Sequence, residues 1–472
     1  MKPSPGVSTQ PQPSFAISVL PVIMLVALLA VAIGRMDGSG HVPLILTTAF
    51  AAALASWKIG VSWPQIEAGI RQGIDAGMQA IVILLVVGLL IGVWIASGVV
   101  PLLIYYGLLI LAPSYFLVAS CLICAVVSLA TGSSWSTAAT VGLALIGVGS
   151  ALGMDPGMTA GAVVSGAYFG DKMSPLSDTT NLAPATAGSE LFEHIRHMVY
   201  TTLPALVIAL IAYTALGLGI ETSANATSAN YDQLVSTLKN TFTLSPLLLI
   251  APATVLALVI RKVPALPALM AGVLAGVLLL LTVQGGSVEL ALNSLYGGYA
   301  SDTGVGAVDE LLSRGGLTSM LDTIALIICA LTFGGVMEAS GMLATLARGI
   351  LSLVRSTGSL IAATLVSCIG MNILTSDQYI SIVIPGRMYR SAYRRRGLHA
   401  KNLSRALEDS ATMTSPLVPW NTCGAYMAGV LGVATGAYLP YAFLNLTVPV
   451  ISLILGLTGW TIEPLARDDS DG

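Results

Sequence analysis

The clearest pointer to the architecture is residues 170–184, which read Gly170-Asp-Lys-Met-Ser-Pro-Leu-Ser-Asp-Thr-Thr-Asn-Leu-Ala-Pro184. The surrounding stretch 157–184 is long enough to cross a bilayer and largely apolar, yet it carries Asp171, Lys172 and Asp178. An ionisable side chain at that depth costs at least about 2.5–3.5 kcal/mol, so such a group is interpreted as functional. Prolines and hydroxyl side chains also interrupt the helix. A broken helix survives in hydrocarbon only where protein, water or a ligand satisfies the freed backbone groups.

The composition of the whole chain is that of an integral membrane protein. Only 9% of its 472 residues are charged and 55% are hydrophobic, whereas about 25% of the residues of a typical soluble protein are charged. The 20 Lys and Arg against 23 Asp and Glu provide no basic surface for nucleic acid. The five cysteines are an odd number and lie in apolar stretches, which argues against a disulfide framework.

Apolar runs of about 20 residues predict the membrane spans. The clear candidates are 15–33, 42–57, 77–97, 199–218, 244–260, 264–284, 322–340 and 437–458, with further pairs in 114–150 and 358–391. With the interrupted stretches 157–184 and 406–435, they predict an all-α polytopic membrane protein with broken or re-entrant helices and about 11 to 14 membrane-crossing segments. The first run lacks the flanks of a cleaved signal peptide and is expected to be a retained span.

Lys and Arg in the short loops predict the orientation. The loop 391–405 is rich in both, and Arg261 and Lys262 separate two spans, so these ends are expected in the cytoplasm. The more acidic loops 219–243 and 285–321 are expected outside. Counting from these loops places both termini in the cytoplasm.

Two short echoes predict an internal repeat. Ile95-Ala-Ser-Gly98 returns as Glu338-Ala-Ser-Gly341, an offset of 243, and Met173-Ser-Pro-Leu176 returns as Thr414-Ser-Pro-Leu417, an offset of 241. On these offsets Asp377 falls opposite Ser134, and Asn421-Thr422 opposite Thr180-Asn181. Because the loops that follow the first echo face opposite sides, the repeats are predicted to be inverted. The predicted parts are N-terminal spans in 1–76, a first repeat in 77–218, connecting loops and spans in 219–319, a second repeat in 320–460 and a polar cytoplasmic tail in 461–472.

Four breaks are predicted inside apolar spans, at Thr131–Trp135, Gly170–Pro184, Thr375–Gln378 and Thr414–Gly424. A purely structural kink needs a Pro or Gly but not the surrounding hydroxyl, amide and carboxyl groups. Freed carbonyls and hydroxyls are hard oxygen donors that suit Na⁺, and half-helix ends add their dipoles. Inverted repeats with interrupted helices are typical of secondary transporters.

The candidate ion- or proton-binding residues all carry side-chain oxygen at these breaks. They are Asp178, Asp377, Asp171, Asp409, Thr131, Ser133, Ser134, Ser177, Thr179, Asn181, Thr375, Ser376, Asn421 and Thr422. Asp178 and Asp377 lead, because each is expected to ligate a cation or to carry a proton. Asp171 with Lys172 is equally well interpreted as a snorkelling pair at the membrane edge, and Glu408 with Asp409 as first-turn acids of a helix.

The acids and imidazoles at Glu190, Glu193, His194 and His197 resemble a metal site only superficially. An amphipathic interfacial helix is the favoured interpretation, with a pH-sensing role as an alternative. An intramembrane enzyme built on this cluster or on Asp178 is the weaker functional alternative.

The run Gly161-Ala-Val-Val-Ser-Gly-Ala-Tyr-Phe-Gly-Asp-Lys-Met-Ser-Pro-Leu-Ser-Asp-Thr-Thr-Asn-Leu-Ala-Pro184 closely resembles the NhaC-type sodium/proton antiporters. The segments Glu193-His-Ile-Arg-His-Met198, Thr201-Thr-Leu-Pro204 and Thr131-Gly-Ser-Ser-Trp135 are similar to that family as well. The resemblance implies an inverted-repeat member of the ion transporter superfamily in a prokaryotic inner membrane. Since relatives include a malate/lactate-coupled exchanger, the family name does not settle the substrate.

The sequence therefore predicts a non-enzymatic Na⁺/H⁺ antiporter that works by alternating access. Carboxylates at the two repeat centres are expected to bind Na⁺ when ionised and H⁺ otherwise, so the two ions compete. The main alternative couples Na⁺ or H⁺ to an organic acid or another small solute. Na⁺ and H⁺ are cargo, no resident cofactor is expected, and the oligomeric state, a homodimer included, is left open.

Overall fold

The protein is built from helices throughout the part that the computed structural model describes, residues 13–36, 40–219 and 224–465. Within those ranges there is no β-strand, and an isolated bridge joins Leu398 to Pro464. The predicted all-α polytopic fold with broken helices is confirmed.

The α-helices follow one another through short turns. They are α1 (Phe15–Met36), α2 (His41–Leu54), α3 (Trp63–Ala96), α4 (Val99–Ile110), α5 (Pro113–Thr131), α6 (Ser134–Thr137), α7 (Leu143–Ala151), α8 (Pro156–Met173), α9 (Asp178–Ala187), α10 (Leu191–Leu218), α11 (Ala224–Thr241), α12 (Ile250–Ile260), α13 (Ala265–Thr282), α14 (Val288–Gly297), α15 (Gly306–Leu312), α16 (Leu321–Ala339), α17 (Met342–Ser352), α18 (Thr357–Thr375), α19 (Gln378–Arg395), α20 (Ala400–Leu407), α21 (Thr422–Leu431), α22 (Thr435–Tyr438) and α23 (Phe443–Thr458). π-helical turns form at Ala55–Ile59, Ala138–Gly142 and Glu408–Thr412, and 3₁₀ turns at Pro246–Leu249, Leu317–Met320, Ser415–Leu417 and Leu439–Tyr441.

Nine helical segments of the described chain are long and apolar enough to cross a membrane, and up to eleven if two bent pairs are each one span. The first bent pair joins Gln233–Thr241 to Pro246–Ile260 at 88°, and the second joins Thr422–Leu431 to Thr435–Tyr441 at 89°. α3 runs for 34 residues without interruption, so the predicted boundary between residues 76 and 77 falls inside it.

The helix ends recur at an offset of 244 residues. α5 ends at Thr131 and α18 ends at Thr375, 244 residues later. The first and last residues of α21 are likewise 244 residues after those of α9. Side-chain contacts recur with them. Ser128 Oγ donates to the carbonyl of Ala167 at 2.5 Å, and Asn372 Nδ2 donates to the carbonyl of Ala411 at 2.7 Å, both partners shifted by 244.

This offset corrects the register expected from the short echoes. When the two halves are aligned by their helix ends, Asp377 corresponds to Ser133 rather than to Ser134. In the same alignment Asn421 corresponds to Ser177 rather than to Thr180. The Ser-Pro-Leu echo is three residues out of step, because one residue separates Leu176 from α9, whereas four residues, 418–421, separate Leu417 from α21. Both Asp377 and Ser133 are helix N-caps, as are Asn421 and Ser177.

Close packing of α8 on α5 positions the second break. A Cβ at Gly166 would collide with the carbonyl oxygen of Cys121, and one at Gly170 with that of Ala125. The two glycines therefore let the backbones approach, which is common where membrane helices pack through small residues. The C-terminal end of α8 is thereby held beside the break between α5 and α6.

Candidate functional site

The helix breaks enclose a cavity of about 490 Å³. Its wall is formed by residues 131–136 of the first break, Asp171 and 175–179 of the second, 377–379 of the third and 422–423 at the start of α21. Parts of α3 and of the 259–265 turn complete it. The structure therefore brings polar groups from both halves of the sequence to one place. Each break supplies the start of a helix whose first N–H groups lack partners within the helix.

The first and third breaks have the same local geometry. α5 ends at Thr131, Gly132 adopts a left-handed conformation with φ of 70°, and Ser133 caps α6. α18 ends at Thr375, Ser376 is left-handed with φ of 59°, and Asp377 caps α19 by accepting from the backbone N–H of Ile380 at 2.8 Å. The carboxylate of Asp377 thus stands at a helix N-terminus, where the dipole stabilises negative charge.

Asp171 points into the protein at the second break. Its Oδ2 accepts from Ser134 Oγ at 2.6 Å and from the Ser134 N–H at 3.2 Å, and the residue is 7% exposed. It lines the cavity. The interpretation of Asp171 as half of a snorkelling pair at the membrane edge is therefore wrong, because a snorkelling side chain reaches outward to water.

Asp178 differs from the other two carboxylates in being exposed. It is the first residue of α9, directly after the cap Ser177, whose hydroxyl accepts from the Thr180 N–H at 3.4 Å. Asp178 is one of the cavity-lining residues. Asp178 was expected to be buried at membrane depth, and the structure instead places it on the cavity wall.

Lys172 turns away from its neighbour and forms an ion pair with Asp409, at 2.7 Å between Nζ and Oδ1, with both side chains fully buried. Thr201 Oγ1 also donates to Asp409 at 2.9 Å, and Arg405 Nε lies 3.9 Å from its other oxygen. Asp409 is therefore neutralised outside the cavity. Glu408 and Asp409 continue α20 as a π-helical turn, so their interpretation as first-turn acids is also wrong.

The other candidates divide into two groups. Those on the cavity wall, besides the three carboxylates, are Thr131, Ser133, Ser134, Ser177, Thr179 and Thr422. Those outside the wall are Asn181, Thr375, Ser376 and Asn421, besides Asp409. The side-chain amide of Asn181 donates to the carbonyl of Ser177 at 2.7 Å, and that of Asn421 donates to the carbonyl of Asn372 at 3.1 Å. Both amides therefore satisfy backbone carbonyls near the breaks.

Sequence reasoning missed several wall residues. Lys262 was interpreted only as a marker of a cytoplasmic loop, but it lines the cavity in a left-handed conformation with φ of 64°. Gln378 follows the cap Asp377, and its Oε1 accepts from Ser415 Oγ at 2.7 Å. On the 244 offset this contact is the counterpart of Ser134 with Asp171, a relation visible only once the correct register is known.

Aromatic packing closes one side of the site. The rings of Trp135 and Tyr426 stack with centroids 4.0 Å apart, and the Tyr426 hydroxyl donates to the carbonyl of Trp135 at 2.9 Å. This contact joins the first break to α21. With three carboxyl groups and one ammonium group among its lining residues, the cavity has an excess of acidic groups and favours a cation.

The two histidines of α10 are buried rather than interfacial. His194 Nδ1 lies 2.9 Å from Ser404 Oγ, and His197 Nε2 lies 2.8 Å from the carbonyl of Thr461 and 3.2 Å from Arg405 Nη1. Thr461 Oγ1 also accepts from Arg405 at 2.9 Å. Among the described residues no group of three or more His, Cys, Asp or Glu side chains is placed to hold a metal ion. The two histidines therefore lie inside the protein, and the interfacial position of the helix start stays a prediction.

Known proteins resemble the chain along most of its length. The model of the Na⁺/H⁺ antiporter family matches residues 166–460. The Na⁺/H⁺ antiporter NhaC of Alkalihalophilus pseudofirmus is 41% identical over 94% of this chain and 95% of its own length. The arginine/ornithine antiporter ArcD of Halobacterium salinarum is 40% identical over 95% and 93%, and the malate-2H⁺/Na⁺-lactate antiporter of Bacillus subtilis is 39% identical over 87% and 87%. All three are antiporters by name, with different cargo.

Proposed function

As this chain belongs to the Na⁺/H⁺ antiporter family, we propose that it exchanges Na⁺ for H⁺ across the cell membrane by alternating access. One observation carries the proposal: Asp171, Asp178 and Asp377 meet on one cavity wall although they come from breaks in both halves of the sequence. Carboxylates and hydroxyls are the oxygen donors that a hard cation prefers, and half-helix ends are where transporters bind their ions.

Competition between the two ions follows from the carboxyl chemistry. An ionised carboxylate attracts Na⁺, and a protonated one does not, so binding of one ion disfavours the other. Asp171 and Asp377 already accept hydrogen bonds from helix N-termini, which leaves an oxygen of each for a cation. The proposed Na⁺ ligands are these two carboxylates with Asp178 and the hydroxyls of Ser133 and Ser134. Asp409 is not among them, because it lies outside the cavity wall and is neutralised by Lys172.

Alternating access is proposed to use the two repeats as its moving parts. The recurrence of helix ends and side-chain contacts at 244 residues supports a pair of equivalent units in about 77–218 and 320–460. Their inverted orientation and the cytoplasmic location of both termini rest on the Lys and Arg of the loops. Inverted repeats can exchange conformations, which exposes a midplane site to each side in turn.

The test is transport by the purified protein in proteoliposomes. An outward-directed proton gradient should drive uptake of ²²Na⁺, and collapse of that gradient should abolish it. Because the cavity is larger than a bare ion requires and relatives carry organic solutes by name, arginine, ornithine, malate and lactate are added in turn. Uptake that needs one of these solutes, or uptake unaffected by the proton gradient, would contradict Na⁺/H⁺ exchange.

A further inference from the structure

Glu408 is a buried carboxyl group that the exchange proposed above does not use. It lies in the π-helical turn Glu408–Thr412 and has no exposed surface. Thr179 Oγ1 donates to its Oε1 at 2.9 Å. Its other oxygen, Oε2, is buried and has no hydrogen-bond partner among the described residues. An ionised carboxylate left in that condition away from water costs several kcal/mol, and a bound proton removes the cost.

The charges around Glu408 are engaged elsewhere. Lys172, from α8, bonds to Asp409 at 2.7 Å. Arg405, one turn earlier, contacts His197 at 3.2 Å and lies 3.9 Å from Asp409. Asp171, on the cavity side, accepts from Ser134 at 2.6 Å. None of these groups donates to Glu408 Oε2.

An acceptor for a proton on Glu408 is present on the same helix. Thr412 follows Glu408 by four residues, and its buried Oγ1 also lacks a partner among the described residues. A carboxylic acid donates one hydrogen bond and a hydroxyl accepts. The Thr412 hydroxyl can accept from a protonated Glu408 or donate to an ionised one, so it can serve either protonation state of this carboxyl group.

Thr179 connects this carboxyl group to the cavity. Thr179 is one of the cavity-lining residues, and its hydroxyl donates to Glu408. We propose that Glu408 is a proton-binding site outside the cation cavity, which loses its proton when Na⁺ binds in the cavity and regains it when Na⁺ leaves. The inference rests on the proposed Na⁺/H⁺ exchange. Ionised Glu408 adds a negative charge one side chain from the cavity wall, so proton loss and cation binding favour each other through charge.

The test counts protons released as Na⁺ binds. Purified protein in weakly buffered detergent solution receives Na⁺, a pH-sensitive dye reports proton release, and titration calorimetry reports bound Na⁺. Glu408→Gln keeps the size of the side chain and an acceptor for Thr179 but has no proton to release. It should still bind Na⁺ and release at most half as many protons per Na⁺ as the wild type. Glu408→Asp should restore part of the release.

The matched control is Glu67→Gln, which alters an exposed α3 carboxyl that pairs with Arg71, and it should release protons as the wild type does. Wild-type release by Glu408→Gln would overturn the inference. So would loss of Na⁺ binding by Glu408→Gln with normal binding by Glu408→Asp, because Glu408 would then belong to the cation site. If the wild type itself releases no protons and shows no gradient-driven Na⁺ uptake, the proposed exchange fails, and the role of Glu408 with it.

Discussion

Asp377 and Asp178 both stand at polar helix breaks, but their surroundings differ. Asp377 is 3% exposed and caps α19, whereas Asp178 is exposed on the cavity wall and makes no cap. Because Asp377 has little exposed surface, water screens its charge only weakly, and the charge acts strongly on a bound cation. The Asp178 carboxylate lines the same cavity but is exposed, so water screens its charge more.

Removal of either charge should weaken Na⁺ binding. In Asp377→Asn and Asp178→Asn the side chain keeps its size and one carbonyl oxygen, and Asn caps a helix as well as Asp does. We expect at least about a tenfold loss of Na⁺ affinity, or about 1.4 kcal/mol, with a larger loss at the buried position. Calorimetric titration with Na⁺ measures it.

Asp155→Asn is the control for capping. Asp155 caps α8 by accepting from the Met158 N–H at 2.9 Å, on an exposed site away from the cavity wall. Its Asn variant should bind Na⁺ as the wild type does. A variant with Asn at both 178 and 377 that still exchanged Na⁺ in a normal pH-dependent manner would show that the cavity carboxylates are not the ion site.

At the scale of single elements, the first break depends on a glycine. A Cβ at Gly132 would lie 2.7 Å from the carbonyl carbon of Leu176, and its φ of 70° is unfavourable for other residues. Gly132→Ala should therefore destabilise the protein by at least about 1 kcal/mol and displace the second break from the cavity. Its thermal unfolding midpoint in detergent and its Na⁺ uptake should both fall.

Ser376→Gly tests the matching position of the third break. Since Ser376 already has the left-handed conformation that glycine adopts without strain, this variant should unfold no earlier than the wild type. A Gly132→Ala protein as stable and active as Ser376→Gly would contradict the packing argument.

The buried pair of Lys172 and Asp409 should respond differently to single and double substitutions. Lys172→Met leaves the Asp409 carboxylate buried without its main partner, so we expect a loss of about 3–5 kcal/mol. Lys172→Met combined with Asp409→Leu removes both charges of the pair and should recover part of that stability, because the buried Arg405 guanidinium still loses the nearby Asp409 carboxylate. Equilibrium unfolding in mixed micelles measures both, and a double variant no more stable than Lys172→Met would exclude simple charge pairing.

Much of the element-level organisation could be predicted from the sequence, since apolar runs interrupted by polar residues have few stable arrangements in a bilayer. The partners across the interior could not. Lys172 and Asp409 are 237 residues apart, and nothing local distinguishes an inward-facing Lys172 from a snorkelling one. The repeat register was misjudged because the short echoes match in residue type but not in structural position. The helix caps match in structural position but differ in residue type, as Ser133 and Asp377 do.

For the whole molecule, the first prediction concerns orientation. In the parental background, Arg396→Cys in loop 391–405 should gain no labelling by an impermeant thiol reagent applied to intact cells, because that loop is expected in the cytoplasm. Glu289→Cys in loop 285–321 should gain it. Both positions are exposed in the structure, so access depends on the side of the membrane. Labelling at 396 and not at 289 would reverse the orientation.

The stretch 459–465 should dock in a pH-dependent manner. The Lys401 ammonium bonds to Glu463 and holds the pKa of that carboxyl below its usual range. A carboxyl whose pKa is lowered by folding stabilises the folded state above its unfolded pKa, about 4.3, and this contribution is lost as pH falls through the lower folded value. Docking should therefore be complete at pH 7 and weaken below about pH 4.

Hydrogen exchange at Leu465 N–H, which donates to the carbonyl of Gly397 at 2.7 Å, reports this docking. Corrected for its intrinsic rate, exchange should become a few-fold faster in acid. In Glu463→Gln the Leu465 amide should already exchange faster at pH 7, and its exchange rate should rise less when the pH is lowered. An equal increase of the exchange rate in acid in both proteins would exclude Glu463 as the titrating group.

Thr461 bears on the order in which the protein can assemble during synthesis. It is translated 264 residues after His197, whose imidazole lies against its carbonyl, and 56 residues after Arg405, whose guanidinium bonds to its hydroxyl. Until the ribosome has made and released this part of the chain, the Arg405 guanidinium lacks that partner. A nascent chain stalled before residue 461 should therefore remain a substrate for membrane chaperones and quality-control proteases, however well its first half has inserted.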